Sequence, residues 1–499
     1  MRLATREQSR LIDEAAQKGG LSAEILMEAA GAESAQEIEN EFKSRSGIVR
    51  VLCGPGHNGA DGLVVARHLS ANGRKVQAFV FEGKHSRLFR EQLERAKASG
   101  AEIIACAESA DISKRVTSGK TSLFVDALFG TGLSRDVEGS LAKLIKTINE
   151  TRTPIVSLDC PTGLDADRGI VLGQAVRARL TLTFGLAKRG FFIEEGPEYC
   201  GRLKVLSIGF PSEIVRKIAA DNSAFDGKLA KRFLPSRKNS SNKSTYGRAV
   251  IFAGSPAMPG AALLTATSAA RVGAGYVMLS SNADTREFIR RSPEFLVVRN
   301  DDEERLWAKI KDFAVAVGPG LGTGEATKKL IQRLIKAKCE RVVLDADALT
   351  VLAKSPMKLP KTWVLTPHAG ELARLLNTNS KSLERDRFGA AEMAAHRYGC
   401  IVLFKGYRTI VSDGTKSIVV LAGNSALAKA GSGDVLTGMI AGFLAQGLKP
   451  GIASTLAAYV HGRAADEWVR SKKDKASLLP SDIVGSIPSL LTRVRRGRS

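Results

Sequence analysis

Residues 48–62 read IVRVLCGPGHNGADG, a short β-branched run followed by a glycine-rich turn with an embedded acid. Similar runs recur through the first half of the chain and are separated by segments of helical pattern. In order, the later runs are VQAFVF, EIIAC, SLFVDA, PIVSLD, LTLTF and LKVLSI. Strands that alternate with helices form βαβ units, so this order predicts an α/β domain with a mostly parallel sheet.

Three of these predicted strands end in unusual loops. The loops are GPGHNGADG after the first strand, LFGTGLSRD after SLFVDA and CPTGLDAD after PIVSLD. Loops beyond the carboxyl ends of parallel strands form the ligand crevice of open α/β folds, so we expect their glycines and acids to converge. Any one of these loops could be an ordinary βα turn, but ordinary turns explain less well why three strand ends carry such loops.

A second α/β series follows a break in the pattern. From about Phe210 the runs stop, and the stretch from Asp221 to Thr245 is polar, basic and poor in apolar residues. This break predicts two domains, residues 1–220 and 226–499. The second domain continues with RAVIFAGS, GYVMLSS, FAVAVGPGLG, RVVLDADAL, WVLTPHAGE, IVLFKGYRTIV and SIVVLAG. No fixed-period repeat relates the halves, which predicts two different folds.

Composition narrows the class of protein. The chain has 499 residues, 44% of them hydrophobic and 25% charged, as expected for two globular domains. Its first residues are charged, and the longest uncharged run, residues 249–270, is interrupted by glycine and proline. We therefore expect a cytoplasmic protein without a membrane partner. The six cysteines are scattered singly, which indicates a reducing compartment and no structural zinc.

The formal net charge of +23 is compatible with nucleic acid, a membrane surface or a small anionic substrate. Basic and aromatic residues do not interleave as a single-strand binding platform requires. We therefore expect no specific nucleic-acid partner. A basic nucleotide-sensing or RNA-binding protein is kept as an alternative.

Residues 430–438 read AGSGDVLTG and place a glycine-walled turn at the start of a predicted helix. Small residues let the N–H groups of Gly431, Ser432 and Gly433 approach a phosphate, and the positive end of the helix adds to their field. Phosphate oxygens repel an aspartate here, so Asp434 is best used to take a proton from a nearby hydroxyl. The alternative is that Asp434 only caps the helix.

Other predicted strand ends of the second half carry further candidates, which are Gly318, Gly320, Gly322, His368, Glu371, Lys405, Gly406 and Thr409. Lys405 follows an apolar strand, where a cation suits a nucleotide phosphate, although a lysine at a strand end can also extend to solvent. His368 follows a proline, and its imidazole either hydrogen-bonds a ligand amide or caps the next helix.

Together these pieces form a specific resemblance. Residues 226–499 resemble the ADP- or ATP-dependent NAD(P)H-hydrate dehydratases of the ribokinase-like superfamily through STYGRAVIFAGSPAMPGAALL, VGPGLG, LDADAL, TPHAGE, LFKGYRT and GNSALAKAGSGDVLTG. The first half resembles the NAD(P)H-hydrate epimerase domain through ILMEAAG, CGPGHNGADG, VDALFGTGLSRD and SLDCPTGLDAD. In this order they resemble the bacterial bifunctional NAD(P)H-hydrate repair enzymes. The resemblance implies two three-layer α/β/α domains, the first with a Rossmann-like parallel sheet and the second ribokinase-like.

The resemblance also implies a reaction. The first domain would interconvert the R and S epimers of hydrated NADH and NADPH (NADHX and NADPHX), and the second would dehydrate the S epimer at the expense of ADP, giving AMP and phosphate. Phosphorylation makes sense because phosphate is a better leaving group than hydroxide. ATP stays open as the donor. A ribokinase-like small-molecule kinase fused to a dinucleotide-binding domain is the alternative. We also expect a homo-oligomer.

Site residues follow from the same resemblance. For the epimerase substrate it implies contacts with His57, Asn58, Gly59, Ala60, Asp61, Gly130, Thr131, Gly132, Leu133, Ser134, Arg135, Asp136 and Asp159. For the dehydratase substrate it implies contacts with Ala261, Gly322, His368 and Asp434. For the nucleotide it implies contacts with Lys405, Gly406, Tyr407, Arg408, Thr409, Gly431, Ser432 and Gly433.

The resemblance further implies K⁺ at the epimerase site, bound by Asn58, Asp126 and Thr162, and Mg²⁺ at the dehydratase site. The predicted catalytic residues are Asp159 in the first domain and Asp434 in the second. His57 and Ala60 depart from the commonest form of the first loop, NNGGDG. Because Ala60 carries a Cβ, we expect a negative φ or spare room at that position.

Overall fold

The computed structural model describes residues 1–42, 46–107, 112–284, 286, 288, 290, 294–298 and 303–497. The chain divides into two compact units. The N-terminal unit is Arg2–Asn222, and the C-terminal unit is Ser223–Ser499 together with Met1. In the part of the chain that the structure describes, no helix is both long and apolar enough to cross a membrane.

Every predicted run of the N-terminal unit forms a strand, and two short strands, at residues 2–4 and 187–188, were not predicted. The strands are β1 (Arg2–Ala4), β2 (Ile48–Cys53), β3 (Val76–Phe81), β4 (Glu102–Cys106), β5 (Thr121–Ala127), β6 (Ile155–Leu158), β7 (Leu180–Phe184), β8 (Ala187–Lys188) and β9 (Arg202–Leu206). A seven-stranded sheet has the order β4-β3-β2-β5-β6-β7-β9, and its neighbours all pair in parallel. The predicted parallel α/β fold is confirmed.

The helices of this unit are Arg6–Lys18, Ala23–Phe42, His57–Ala71, Arg87–Ala98, Ile112–Thr117, Gly139–Glu150, Gly196–Cys200 and Ser212–Ile218, with a 3₁₀ turn at Arg189–Phe192. They cover both faces of the sheet. In β2, Val51 packs with residues of helix Ala23–Phe42, whereas Leu52 packs with residues of helix Gly139–Glu150 on the other face. Because successive strand residues point to opposite faces, the unit has three layers.

The C-terminal unit contains a second sheet. Its strands are β10 (Asn222–Phe225), which begins at the unit boundary, β11 (Arg248–Phe252), β12 (Tyr276–Ser280), β13 (Leu296–Val297), β14 (Ala314–Val317), β15 (Arg341–Leu344), β16 (Val364–Leu365), β17 (Ile401–Phe404), β18 (Ile410–Ser412) and β19 (Ser417–Val420). Their order is β13-β12-β11-β14-β15-β16-β17-β18-β19-β10. Pairing is parallel from β13 to β17 and antiparallel from β17 to β19.

The α-helices of this unit are Gly227–Phe233, Pro259–Arg271, Glu303–Lys309, Glu325–Lys336, Asp347–Lys354, Ala369–Leu376, Ser380–Arg385, Arg387–Tyr398, Ser432–Ala445, Pro450–Arg470 and Pro480–Arg496. Its 3₁₀ turns are Lys243–Tyr246, Ile310–Asp312, Ser425–Leu427 and Lys475–Ser477. In β11, Ile251 packs with the helix Ser432–Ala445, and Val250 on the opposite face is also fully buried. The sheet is therefore covered on both faces, as its apolar strands predict.

Candidate active sites

A cleft of about 640 Å³ opens in the N-terminal unit at the carboxyl ends of β2, β5 and β6. Residues of the first two glycine-rich loops line it, together with Asp159 directly before the third, at the edge of the sheet predicted from the parallel strands. The predicted contacts that line the cleft are His57, Asn58, Asp61, Gly130, Thr131, Gly132, Leu133, Ser134, Arg135 and Asp159. An apolar wall that includes Leu26, Met27 and Phe184 faces them.

Three other predicted contacts lie outside the lining of this cleft. A side chain at Gly59 would come within 1.8 Å of the Gly54 carbonyl oxygen, so this glycine allows the loop to pack on itself. Ala60 is fully buried, donates its N–H to Gly56 and has a negative φ, so its Cβ fits as expected. Asp136 is exposed at the end of its loop. The substrate contacts proposed for these residues stay predictions.

Asp159 follows β6 with a φ of 60°, a conformation in which aspartate is tolerated better than most residues. One carboxylate oxygen accepts a hydrogen bond of 2.6 Å from the buried Lys188 Nζ, and the other accepts one of 3.3 Å from the Thr131 N–H. Burial favours the neutral acid, but the charge and hydrogen bond of Lys188 outweigh it and lower the pKa of Asp159. Asp159 is therefore an ionised group that ties the second and third loops together.

Two more carboxyl groups line the same cleft. Burial raises the pKa of Asp13 to about 6, with repulsion from Asp159 adding to the effect and Lys188 opposing it. Burial also raises the pKa of Asp61 well above its ordinary value, with repulsion from Asp159 and Asp13 contributing. The cleft therefore combines one firmly ionised carboxylate with two groups that hold protons more readily.

The residues predicted to bind K⁺ meet beside this cleft. Asp126 is fully buried and accepts hydrogen bonds from the Thr162 hydroxyl at 2.6 Å and the Thr162 N–H at 2.9 Å. Burial outweighs these bonds and raises the pKa of Asp126. Within the described ranges, neither the Nδ2 nor the Oδ1 atom of the buried Asn58 has a hydrogen-bond partner. A buried acid and an unsatisfied amide oxygen fit a hard monovalent cation.

In the C-terminal unit the predicted anion cradle is built at the start of the helix Ser432–Ala445. Gly431 is the N-cap and has a φ of 87°, which favours glycine. Two further glycines hold this helix against Pro259–Arg271, because a side chain at Gly438 would reach within 1.9 Å of the Thr265 carbonyl oxygen. A Cβ at Gly442 would likewise come within 2.6 Å of the Ala269 carbonyl oxygen. Close helix packing therefore fixes where the cradle lies.

Asp434 lies in the first turn of that helix. Burial raises its pKa to about 7, with repulsion from Asp345 adding to the effect and Lys405 opposing it. A carboxyl group with a pKa near neutrality can accept a proton at the working pH and release it again. The position of Asp434 beside the glycine turn and its raised pKa suit the predicted general base.

Lys405 extends from the end of β17 into a buried acidic network. Its Nζ atom donates to an Asp345 carboxylate oxygen at 2.8 Å and lies 3.6 Å from a carboxylate oxygen of Glu371. The other Asp345 oxygen accepts a hydrogen bond of 2.7 Å from the Thr437 hydroxyl. Burial opposes the charge of Lys405, but Asp345 and Glu371 outweigh burial and raise its pKa. A Cβ built on Gly433 would lie 3.3 Å from this Nζ, so the cation is next to the cradle.

The other residues predicted to contact the dehydratase substrate are Ala261, Gly322 and His368. Ala261 lies close to Gly320, and the Gly322 N–H donates to Asp347 at 2.8 Å, which places the substrate-side residues near the acidic network. His368 caps the helix Ala369–Leu376, because its Nδ1 atom accepts a hydrogen bond from the Gly370 N–H at 3.0 Å. Its ring is more than half exposed, so the cap and a ligand contact are compatible.

The predicted nucleotide loop follows β17. Gly406 has a φ of 151° and packs against the Arg387 guanidinium, where a side chain would meet its atoms at 2.5 Å. Arg408 has a φ of 58°, and the Tyr407 ring is 48% exposed. The Thr409 hydroxyl donates to the Gly406 carbonyl at 3.2 Å. The loop is a tight turn with an exposed aromatic ring.

Comparison with known proteins decides the family. A relative from Moorella thermoacetica, the bifunctional NAD(P)H-hydrate repair enzyme Nnr, is 35% identical over 94% of this chain and 92% of its own length. The chain belongs to the bifunctional NAD(P)H-hydrate repair enzymes. Two family models match this chain. The model described as YjeF-related protein N-terminus matches residues 23–190, and the model described as NAD(P)H-hydrate dehydratase matches residues 249–489.

Solved structures resemble the second half of the repair enzyme. A ribokinase-like superfamily protein from Enterococcus faecalis is 24% identical, with a TM-score of 0.50 over 55% of this chain and 96% of that one, which supports the ribokinase-like fold. The ADP/ATP-dependent NAD(P)H-hydrate dehydratase from Bacillus subtilis, co-crystallised with ATP and Mg²⁺, is 32% identical over 55% of this chain and 98% of that one, with a TM-score of 0.49.

Sequence reasoning missed several residues of the repair enzyme's two sites. Asp13 and Lys188 were assigned no role, although both line the first cleft. Asp345 belongs to the quoted LDADAL run, but nothing local marks it as the partner of Lys405. His461, whose Nε2 atom lies 3.0 Å from the Ser432 hydroxyl, is in the middle of a long helix without a motif. The LDADAL run contained one feature that could have marked Asp345 as a site residue, a pair of acids directly after an apolar strand.

Proposed function

We propose that residues 1–220 of the repair enzyme interconvert the R and S epimers of hydrated NADH and NADPH, and that residues 226–499 dehydrate the S epimer with ADP as the phosphoryl donor. The products of the second step would be NADH or NADPH, AMP and phosphate. A relative named as a bifunctional NAD(P)H-hydrate repair enzyme matches 94% of this chain, and two family models match its two halves. The observation that carries the proposal is a carboxyl group of pKa about 7, Asp434, next to a glycine-walled helix start.

The dehydratase step uses this geometry directly. Asp434 accepts the proton of the C6 hydroxyl as that oxygen attacks the terminal phosphorus of ADP, and the bond from phosphorus to AMP breaks. The N–H groups of Gly431, Ser432 and Gly433 hold the charge that develops on the transferred group. The C6–O bond then breaks, phosphate leaves with the electron pair, and loss of a ring proton restores the dihydropyridine.

Lys405 supports this step by holding the acidic network together. Its ion pairs with Asp345 and Glu371 keep a positive charge beside the cradle, where an anionic phosphoryl group arrives. We propose nucleotide contacts for the loop from Lys405 to Thr409, because Lys405 lies beside the cradle. We propose substrate contacts for Ala261, Gly322 and His368, because Ala261 lies close to Gly320, Gly322 donates to Asp347, and His368 caps the helix that contains Glu371.

Magnesium is proposed to accompany the nucleotide. Among the residues that the structure describes, no three His, Cys, Asp or Glu side chains converge to hold a metal ion. Mg²⁺ in phosphoryl-transfer sites is commonly bound by one or two carboxylates and by the phosphates of the nucleotide, which would supply the missing ligands. When bound, it would neutralise charge on the phosphate oxygens.

At the epimerase site we propose substrate contacts for the loop residues from His57 to Asp61 and from Gly130 to Asp136 and for Asp159; the side chain of Ala60 lies outside the lining of the cleft, so a contact there would use its backbone. We propose K⁺ at Asn58, Asp126 and Thr162, supported by the buried acid and the unsatisfied amide beside the cleft. When bound, K⁺ would neutralise Asp126 and draw the first two loops together. Cytoplasmic location and homo-oligomerisation stay predictions.

A coupled assay tests the proposed function. A defined mixture of R and S hydrates of NADPH is incubated with the full chain and either ADP or ATP. Recovery of NADPH absorbance from both epimers, with release of free phosphate, is the expected result. A stable phosphorylated product without recovery of NADPH would support the small-molecule kinase instead. The donor that gives the higher kcat/KM decides between ADP and ATP.

Removal of K⁺ tests the proposed ion site. Dialysis into a buffer with only Na⁺ or Mg²⁺ is expected to slow epimerisation and weaken substrate binding, and added K⁺ should restore both. Asn58→Ala should abolish this K⁺ dependence, because it removes the unsatisfied amide oxygen. An epimerase rate and a substrate affinity that do not respond to exhaustive K⁺ removal would refute the assignment.

A further inference from the structure

The epimerase cleft contains a group of charges that the proposed substrate contacts do not explain. Asp13, Asp61 and Asp159 all line it, together with the single buried ammonium group of Lys188. His57 and Arg135 are the other titratable or charged residues of the lining. Three carboxyl groups around one buried cation would carry excess negative charge, so the group as a whole retains a proton.

Of the three carboxylates, Lys188 forms a hydrogen bond with only one. Its Nζ atom donates to Asp159 at 2.6 Å, to the Thr183 hydroxyl at 2.8 Å and to the Phe184 carbonyl at 3.4 Å. An ammonium group has three donors, so none is left over. This arrangement holds Asp159 ionised and lowers its pKa, which suits an anchor for substrate better than a group that exchanges protons.

Asp13 and Asp61 are in the opposite situation. They come from different elements, the helix Arg6–Lys18 and the helix His57–Ala71, and they line the same cleft. Burial raises the pKa of both groups, that of Asp13 to about 6 and that of Asp61 well above the ordinary range. Repulsion from Asp159 adds to both shifts, with a further contribution from Glu14 at Asp13 and from Asp13 at Asp61. Near neutral pH Asp13 is therefore mostly ionised, whereas Asp61 holds its proton far more readily than an ordinary aspartate.

We propose that Asp61 and Asp13 are the acid and the base of epimerisation, and that Lys188 is a positioning residue that keeps Asp159 ionised. Asp61 donates its proton to the C6 hydroxyl, the C6–O bond breaks, and water leaves with the electron pair while the ring nitrogen lone pair forms a C6=N1 double bond. Water then adds to the opposite face of C6, the nitrogen regains its pair, and the added water gives a proton to Asp13. One conversion leaves Asp61 ionised and Asp13 protonated, and proton exchange with solvent restores both groups before the next turnover. The reverse epimerisation runs with the two roles exchanged.

The inference rests on the epimerase activity of the proposed function, and the test separates the two. The full chain is assayed for conversion of the R hydrate of NADPH to the S hydrate without ADP, and its dehydratase rate on the pure S hydrate with ADP reports correct folding. If the wild-type chain does not convert the R hydrate to the S hydrate, the proposed function is contradicted. Wild-type activity that survives in the variants below would contradict only this inference.

Asp13→Asn and Asp61→Asn are expected to lower the epimerase kcat by at least ~100-fold, within the range for removal of a general acid or base, with KM changed less than about threefold. Lys188→Met and Asp159→Asn should instead mainly raise KM, and Lys188→Arg should restore part of the affinity. The matched control is Glu7→Gln, on the same helix as Asp13 and paired with Arg10 at the surface, which should leave both parameters unchanged. Retention of kcat within threefold in Asp13→Asn or Asp61→Asn would overturn the proposal.

A measurement on the wild-type chain gives a readout that does not depend on a variant folding. The epimerase kcat is expected to fall as pH drops through about 6, because Asp13 must be ionised to accept a proton. Asp13→Asn should lose this acidic limb. A flat profile in the wild type, or the same limb in the variant, would overturn the assignment of Asp13 as the base. In ¹⁸O-labelled water each epimerisation should incorporate one labelled oxygen at C6, and retention of the original oxygen would exclude the water-loss step.

Discussion

Each unit places a buried lysine against an aspartate that follows a parallel strand, yet the two ion pairs have different surroundings. Lys188 is 2.6 Å from Asp159 and uses its other donors on a hydroxyl and a carbonyl. Lys405 is 2.8 Å from Asp345 and also approaches Glu371. The first pair is neutral overall, and the second is part of a network with excess negative charge. An ion pair at a strand end therefore does not by itself identify the chemistry of a site.

The groups beside each pair make the difference. In the N-terminal unit the neighbours of the pair are Asp13 and Asp61 in a wide cleft with an apolar wall, which fits a dinucleotide and proton transfer to and from the oxygen on a ring carbon. In the C-terminal unit the neighbour is Asp434 in the first turn of a helix, and a helix start suits a phosphoryl group. In the proposed assignments, the same pair of residue types therefore serves isomerisation in one unit and group transfer in the other.

The largest expected effect comes from Asp434→Asn, which should lower the dehydratase kcat by about 10³-fold because the general base is lost. In the wild type, the rate should rise with pH through about 7, since Asp434 accepts a proton only when ionised. The epimerase rate should not change, because the two activities are assigned to separate units. Glu325→Gln, which also removes an acid from the first turn of a helix, is the matched control. Loss of both activities in a folded Asp434→Asn chain would contradict the division.

Next in size is the loss of either lysine. Lys188→Met and Lys405→Met should each lower the free energy of unfolding by about 3 kcal/mol, because each leaves a buried carboxylate without its partner. Urea denaturation of each variant, followed by fluorescence or circular dichroism, measures the loss.

The pH dependence of this loss has a definite sign for Lys188→Met. Without the lysine, burial raises the folded-state pKa of Asp159 above its unfolded value, so the variant should regain stability as pH falls and the carboxylate takes a proton. Adding Asp159→Asn should recover part of the stability at neutral pH. A double variant as unstable as the single one would show that the lysine stabilises the unit by packing rather than by charge.

A smaller effect is expected at the cradle from His461→Phe. Burial lowers the pKa of His461 to about 4, so the ring is neutral and its Nε2 atom hydrogen-bonds Ser432 without adding charge. Loss of one hydrogen bond of about 1 kcal/mol should raise the KM for ADP by roughly fivefold and leave the pH profile of Asp434 in place. If the apparent pKa of the dehydratase reaction moves by a full unit, His461 acts on the base rather than on the cradle.

The smallest effect is expected from Ala60→Gly, which restores the commoner loop residue in the N-terminal unit. Because Ala60 lies inside a helix and is fully buried, the change should cost about 0.5–1 kcal/mol of stability. The epimerase KM should not change, since Ala60 does not line the cleft. A decrease in KM of more than threefold would show that the alanine methyl group restricts the substrate.

Local features explain why much of this protein was predictable. Each apolar run that was predicted as a strand is a strand, since strand formation and loop position depend on short-range pattern. The AGSGDVLTG turn was recognised as a helix start because Gly431 needs its left-handed conformation and the following residues are helix-compatible. The cleft residues were found because loops at the carboxyl ends of parallel strands share one edge.

The residues that were missed are distant in sequence from their partners. Lys405 and Asp345 are 60 residues apart, and Thr437 is 92 residues from the same aspartate. Asp13 lies on the first helix and reaches the cleft from an element without a motif. No periodic pattern reports such pairs, because a helix presents many acids and only its packing decides which one faces the site.

The amino-acid sequence alone determined the parallel α/β class, the break between two units, the glycine loops and the identity of Asp434 as an acid beside an anion cradle. Each of these is set by residues within a few positions of one another. Tertiary structure alone decided which carboxylates surround each lysine, which of them stay ionised and which retain protons. The physical reason is that burial and the distance between charges set the pKa of each group, and both depend on strand order and helix packing rather than on neighbours along the chain.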